Sequence, residues 1–158
     1  MILDFCEGCD MLAEAGLTQD KHDDLGTDNE RVLGELVKAK YGTDFYVLHR
    51  YPTEARPFYT MPCHDDPGYT CSFDAFIRGE EILSGAQRVH DPVLLEERIR
   101  SKDVDPDTLR SYINAFAYGA TPHGGVGIGL ERVVKLFAGI HNIKTVSMFP
   151  RDPKRIVP

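Results

Sequence analysis

The sequence predicts an α+β fold in which an antiparallel sheet is flanked by helices. Short runs of β-branched and aromatic residues alternate with segments of helical periodicity, and glycine or proline separates most of them. Two of these runs are joined by one tight turn, which is typical of antiparallel pairing. The chain of 158 residues has the size of a single domain and can bury a substantial core.

Two helices are predicted in the first quarter of the chain. Apolar residues recur at helical spacing over residues 2–16, where Gly16 ends the segment, and no capping residue is visible at its start. A polar, acidic loop follows. Thr27 and Glu30 have the spacing of a capping box, so the second helix is expected to begin there and to continue to about Tyr41.

Four strands are predicted next. Residues 44–51 and 56–61 are rich in aromatic and β-branched side chains, and Pro57 places the second run at a sheet edge or at its own start. Residues 72–78 and 80–89 flank Gly79, which predicts an antiparallel pair with a tight turn.

The last part of the chain predicts three helices and two extended runs. Asp91-Pro92 and Asp105-Pro106 each place a capping residue before a proline, so each is expected to open a helix. The glycine-rich residues 124–129 predict a strand, and residues 144–149 a short extended run. The helix between them has an apolar stripe formed by Leu130, Val133, Val134, Leu136 and Phe137.

Composition limits the classes of function. The net charge of −7 argues against a sequence-independent grip on nucleic-acid phosphates, which requires clustered Lys and Arg. No apolar run is long enough to span a bilayer and the first residues lack a signal-peptide pattern, so a cytoplasmic location without a membrane is expected. Cys6 and Cys9 have a ligand spacing but fall on the apolar face of a helix, which favours reduced thiols over a zinc site.

The glycine-rich strand and the helix after it form the first candidate site. Alternating glycines allow another backbone or a flat ligand to lie close, and Arg132 falls in the first helical turn, where polyphosphate binds well. The spacing Gly125-Val-Gly127-Ile-Gly129 matches neither the dinucleotide fingerprint nor a P-loop. The alternative is a packed strand and helix with glycines at contact points.

The second candidate site lies in the polar run of residues 78–91. Strand alternation puts Ser84 and Arg88 on one face and Glu81 on the other, so a common site needs a bulge or strong twist near Gly85. A carboxylate with a hydroxyl suits magnesium, and an arginine at a strand end suits a small carboxylate. The alternative is an exposed strand with salt bridges.

The two sites together resemble a known family. The runs GEEILSGAQRVHDP, HGGVGIGLERVVKLFAG and SMFPRDPKR resemble the C-terminal part of the catalytic domain of aspartyl-tRNA synthetases of the eukaryotic and archaeal type. The resemblance extends over residues 1–158, and the glycine strand with its helix is similar to the third signature motif of class II synthetases. Cys71 stands where Asn is common in the family.

The resemblance implies a role for each matching residue. Arg132 and Glu81 would be catalytic, Ser84 and Arg88 would bind aspartate, and Glu81 and Ser84 would hold Mg²⁺. His123 lies beside the ATP-binding turn in the family pattern, as a secondary candidate. ATP would contact Glu81, Gly129, Leu130, Glu131 and Arg132.

The resemblance also implies the reaction. Aspartate would attack the α-phosphate of ATP, and the resulting aspartyl-adenylate would pass its aspartyl group to tRNA(Asp), in a protein that is a homodimer. The anticodon-binding domain and the first two class II motifs are not found in the sequence, so this chain alone is expected to be an incomplete, inactive fragment. Two alternatives are an asparaginyl-tRNA synthetase and a non-catalytic binding module derived from a synthetase.

Overall fold

The structure is a computed structural model and describes residues 1–157. No helix in this range is long and apolar enough to cross a membrane. Within the same range, one sheet contains the strands β1 (Ile2–Asp4), β2 (Phe45–His49), β3 (Ser72–Ile77), β4 (Glu80–Arg88) and β5 (His123–Ile128), in that order. The α-helices are α1 (Phe5–Glu14), α2 (Thr27–Tyr41), α3 (Pro92–Ser101), α4 (Arg110–Ala117) and α5 (Leu130–Phe137).

The predicted α+β class is confirmed, with one difference in the sheet. β1 pairs with β2 in parallel, whereas the other three strand pairs are antiparallel. The expectation of a helix over residues 2–16 without a cap was wrong at its start. Asp4 ends β1 and caps α1, because its side chain accepts from Cys6 N while the Glu7 side chain accepts from Asp4 N.

Three other local predictions were wrong. Gly26, which makes no side-chain hydrogen bond, precedes α2, so the Thr27 capping box does not form. Residues 56–61 are not a strand; they follow the 3₁₀-helix Thr53–Ala55, and only Thr60 pairs, in an isolated bridge with Arg88. The extended run expected over residues 144–149 is replaced at its start by the 3₁₀-helix Ile143–Val146.

The predicted proline-capped helices are confirmed. The Asp91 side chain accepts from Val93 N and Leu94 N at the start of α3. Asp105 opens a 3₁₀-helix, Pro106–Leu109, that leads directly into α4. Both devices depend only on neighbouring residues, which is why the sequence predicts them well.

Helices cover both faces of the sheet. α1 and α2 pack on one face around Tyr46, Leu48 and Phe76. On the other face α5 places Leu136 against Ala75 and Ile82. The apolar stripe predicted for α5 is therefore divided, because Leu136 is buried and Val133 half-buried. Leu130, Val134 and Phe137, on another side of the helix, are exposed.

A bulge in β4 brings the two halves of the predicted second site to one face. Ala75 pairs with Leu83 and Phe76 with Glu81, so Ile82 is an extra residue in β4. Ser84 pairs with Asp74, which shares a face of β3 with Phe76. Glu81 and Ser84 therefore share a face, as the sequence required, although the bulge lies at Ile82 and not near Gly85.

The turn between β3 and β4 fits closely against α2. Gly79, whose φ is +74°, occupies the left-handed region, and it touches the backbone of Arg31 in α2. A Cβ added at Gly34 would lie 2.4 Å from Gly79 N. Both positions exclude a side chain, so the turn that starts β4 is held directly by a helix.

We expect Gly34→Ala to lower the free energy of unfolding by about 1–3 kcal/mol, because the added methyl forces backbone apart in a packed contact. Urea unfolding followed by circular dichroism measures the change. Gly127→Ala is the matched control, since a Cβ there would meet nothing within 4 Å. An equal loss of unfolding free energy in the two variants would contradict the close contact between Gly34 and Gly79.

Candidate active site

The centre of the site is the side chain of Arg56, which directly follows the 3₁₀-helix Thr53–Ala55. Its Nη2 donates to Asp74 Oδ2 at 2.5 Å, and its Nη1 donates to Ser84 Oγ at 3.1 Å. The guanidinium also stacks on Tyr51, with its carbon 3.8 Å from the ring centre. Only 12% of the Arg56 side chain and 8% of the Asp74 side chain are exposed, so this is a buried ion pair.

A pocket of about 370 Å³ opens beside this pair. Arg88 lies on its wall, 5.6 Å above the centre of the Tyr59 ring. A Cβ at Gly125 would lie 2.7 Å from Arg88 Nη2, so the missing side chain at Gly125 provides the space for the guanidinium. The pocket is lined by Arg56, Pro57, Tyr59, Thr60, Ser72, Ser84, Gly85, Ala86, Arg88, Gly125, Val126 and Gly127.

The other predicted pair, Glu81 and Arg132, also meets. Arg132 Nη1 donates to the Glu81 backbone carbonyl at 2.8 Å and lies 3.8 Å from Glu81 Oε2. Gly129 precedes α5 and donates from its backbone N to Ile82 O at 2.9 Å. The bulge at Ile82 and the start of α5 thus position this arginine together.

The carboxylate of Glu81 lies near those of Glu30 and Asp74. Burial, followed by the charge of Glu81, raises the pKa of Glu30 to about 7. Burial, followed by the charge of Asp74, raises the pKa of Glu81. Asp74 Oδ1 is buried and has no hydrogen-bond partner. Such a group of acids attracts a cation or a proton.

The structure does not gather every predicted residue into one place. Ser84 and Arg88 line the pocket, whereas the side chain of Glu131 lines a separate groove with Lys144 and Arg151. Leu130 is 69% exposed. The ATP contacts expected for Leu130 and Glu131 stay predictions.

His123 and the N-terminal cysteines lie outside the pocket. The His123 ring stacks on Phe116, with centroids 5.8 Å apart, and its Nδ1 lies 3.0 Å from Thr121 O. Cys9 is buried in the core and Cys6 Sγ donates to Tyr69 Oη at 3.2 Å. Within residues 1–157, no group of three or more His, Cys, Asp or Glu side chains is arranged to hold a metal ion.

Three residues of the site, Arg56, Asp74 and Glu30, were not predicted from the sequence. Asp74 offered a signal, because it is the one acidic residue inside the apolar run SFDAFI, and a buried acid requires a partner. For Arg56, the sequence signal was limited to its position next to Pro57. Glu30 was interpreted as a capping residue, while its side chain belongs with the acids around Glu81.

The comparisons with known proteins decide the family. Residues 5–153 match the family described as tRNA synthetases class II (D, K and N). The chain belongs to this family. The cytoplasmic aspartate–tRNA ligase of Rattus norvegicus is 57% identical to this class II synthetase chain over 156 residues, which are 99% of the chain and 31% of the relative. The corresponding ligase 1 of Arabidopsis thaliana is 58% identical, and 29% of it is covered.

Solved structures give the same assignment. The aspartyl-tRNA synthetase of Entamoeba histolytica superposes with a TM-score of 0.96 and 53% identity over 100% of this chain and 33% of that one. The asparaginyl-tRNA synthetase of Pyrococcus horikoshii complexed with asparaginyl-adenylate has a TM-score of 0.91 and 32% identity, covering 99% and 36%. The class II synthetase chain therefore spans about a third of the length of these relatives.

We expect Asp74→Asn to lower the free energy of unfolding by about 3–5 kcal/mol, because it leaves the buried Arg56 guanidinium without its counter-charge. Urea unfolding measures the loss. Asp107→Asn breaks an Arg110 pair whose side chains are 44% and 79% exposed, and should cost less than about 1 kcal/mol. Similar losses in the two variants would contradict the role of burial.

Glu30 should make stability depend on pH. Between the ordinary pKa of 4.5 and the folded value of about 7, the unfolded chain holds fewer protons at Glu30 than the folded chain. Rising pH therefore lowers the free energy of unfolding across this window. Glu30→Gln should flatten the fall, measured by urea unfolding at several pH values. Glu35→Gln, on the exposed side of α2, should retain the wild-type slope, and loss of the slope in that control would refute the assignment.

Proposed function

We propose that this chain forms the amino-acid- and ATP-binding part of an aspartate–tRNA ligase. The observation that carries the proposal is the pocket in which Arg88 and Arg56 flank Ser84. The guanidinium of Arg88 in this small cavity favours a ligand with a carboxylate side chain. The 57% identity to the rat enzyme, which is named an aspartate–tRNA ligase, supports the same substrate.

The two arginines have different tasks in this proposal. Arg56 is already neutralised by Asp74 and donates to Ser84, so it fixes the wall of the pocket. Arg88 is exposed, and it can present two parallel N–H donors to the aspartate side chain. Asparagine would gain less there, because its amide carries no charge and its NH₂ would face other donors.

ATP would lie between Glu81 and the start of α5. Arg132 can contact phosphate oxygens, because its side chain is 47% exposed while its Nη1 donates to the Glu81 carbonyl at 2.8 Å and lies 3.8 Å from the Glu81 carboxylate. Glu81, with Asp74 Oδ1 nearby in the acidic group, provides hard oxygen donors that fit Mg²⁺. When bound, Mg²⁺ would neutralise negative charge on the phosphates.

The proposed first step requires positioning more than proton transfer. The α-carboxylate of aspartate is already a nucleophile at neutral pH, and it would attack the α-phosphate with loss of pyrophosphate. Arg88 would orient the amino acid by its side chain, and Arg132 would stabilise charge on the phosphates. The aspartyl group would then pass to tRNA(Asp).

The complete activity is proposed for a longer protein. The chain covers 31% of the rat relative, so its binding groups would work together with further segments, and alone it should be inactive or nearly so. A homodimer and a cytoplasmic location belong to the same proposal, and the second is supported by the names of the relatives.

The test is aspartate-dependent exchange of pyrophosphate into ATP. The longer protein that carries this chain should exchange with aspartate and not with asparagine, whereas the 158-residue chain should be silent. Arg88→Gln in the longer protein should reduce kcat/KM for aspartate on the order of a hundredfold, since two charged hydrogen bonds are lost.

Arg100→Gln is the matched control, because Arg100 lies on the surface of α3 with its side chain 62% exposed, paired with Glu96. It should leave exchange unchanged. Exchange with asparagine but not aspartate would favour the asparaginyl enzyme. Absence of exchange with either amino acid in the folded longer protein would favour a non-catalytic module.

A further inference from the structure

Two cysteines, Cys63 and Cys71, lie on one loop whose last residue directly precedes Ser72 in the wall of the pocket. The cysteine loop, residues 61–71, is closed by two backbone hydrogen bonds. Cys71 N donates to Met61 O and Cys63 N donates to Tyr69 O, both at 2.8 Å, and together these bonds form the isolated antiparallel bridge between Pro62 and Thr70. Cys63 and Cys71 therefore lie on opposite arms of the loop, on the same side.

The two sulfur atoms are already neighbours. Cys71 Sγ lies 3.9 Å from Cys63 Sγ. A disulfide needs a separation of about 2.05 Å, so a shift of roughly 2 Å, shared between side-chain rotation and the loop arms, would allow the bond. Cys63 is buried at 5% exposure, whereas Cys71 is half-buried. An oxidant dissolved in water would therefore reach Cys71 first.

The cysteine loop is connected to the pocket through its stem. Gln87 N donates to Cys71 O at 2.9 Å, and Met61 N donates to Gln87 O at 3.0 Å. Gln87 immediately precedes Arg88, and Cys71 immediately precedes Ser72, which lines the pocket. Movement of Cys71 would therefore be transmitted to residues that contact a ligand.

We propose that Cys63 and Cys71 are a redox-modification site, which hydrogen peroxide converts into a reversible disulfide beside the pocket. Peroxide oxidises the Cys71 thiol to a sulfenic acid and releases one water. The Cys63 sulfur then attacks the Cys71 sulfur, and the hydroxyl leaves as a second water with the Cys63 proton. The two sulfurs lose two electrons in total, and peroxide is the acceptor.

The other two cysteines, Cys6 and Cys9, provide an internal comparison. Cys6 and Cys9 lie in α1, where Cys6 Sγ donates to Tyr69 Oη and Cys9 is 3% exposed within the core. Burial and the neighbouring Cys6 raise the pKa of Cys9 to about 11, which keeps it protonated and unreactive. Burial and the neighbouring Cys71 raise the pKa of Cys63 in the same way, to about 11, so Cys63 is not the first thiol to be oxidised. Its role as the resolving partner follows from its position, because its sulfur lies 3.9 Å from Cys71 Sγ.

The experiment treats the chain with increasing hydrogen peroxide, alkylates the remaining thiols after denaturation, and maps the peptides by mass spectrometry. We expect a Cys63–Cys71 cross-link that dithiothreitol reverses, with Cys6 and Cys9 carrying the alkyl label. In ¹H–¹⁵N spectra, the amide signals of Ser72 and Arg88 should shift when the cross-link forms.

Cys71→Ser should abolish the cross-link, and Cys63→Ala is a second variant in case the first does not fold. Cys6→Ser is the matched control and should leave the cross-link unchanged. Pairing of Cys6 with Cys9 before Cys63 with Cys71 would overturn the proposal. So would oxidation of Cys71 to a sulfinic acid without a cross-link, or amide signals at Ser72 and Arg88 that do not respond.

Discussion

The architecture of the site depends on the buried guanidinium of Arg56. It contacts Asp74 in β3 and Ser84 in β4 and stacks on Tyr51. One side chain therefore joins the segment that follows β2 to the centre of the sheet. Such a group is costly to bury and is stable only because its partners are fixed. The Arg56–Asp74 ion pair therefore contributes more to fixing the position of the pocket wall than to stabilising the fold.

The charges around this pair divide the site into two ends. Arg88 makes one end positive and Glu30 and Glu81 make the other end negative, whereas Arg56 and Asp74 neutralise each other. Burial, followed by the charge of neighbouring acids, raises the pKa values of Glu30 and Glu81. A ligand that combines carboxylate, phosphate and a divalent cation would complement both ends. The negative end depends on the bulge at Ile82, which moves Glu81 to the face of β4 that carries Ser84.

The sequence predicted features that local chemistry controls and missed those that distant residues decide. The cap at Asp91, the turn at Gly79 and the shared face of Ser84 and Arg88 on β4 each follow from a few adjacent residues. The strand of Ile2 does not, because it exists only by pairing with Val47, some forty-five positions away in the chain.

The same reason explains the site residues that were missed. Arg56 is eighteen positions from Asp74 and twenty-eight from Ser84, and no periodicity marks such contacts. Asp74 stands in an apolar strand without a local partner. Strand parity could require a bulge but not locate it, because the extra residue, Ile82, packs against Leu136 of α5, which is distant in the chain.

The glycines of β5 illustrate how one pattern serves two purposes. Gly125 and Gly127 share a face and pair with Ala86 and Ser84 in β4. At Gly125 the absent side chain is replaced by the guanidinium of Arg88, whereas at Gly127 the space is open. A Cβ at the first position would displace the arginine, and at the second it would narrow the pocket beside Ser84. The alternation therefore leaves two different spaces along one strand: the Arg88 side chain fills the space at Gly125, and the space at Gly127 stays open to the pocket.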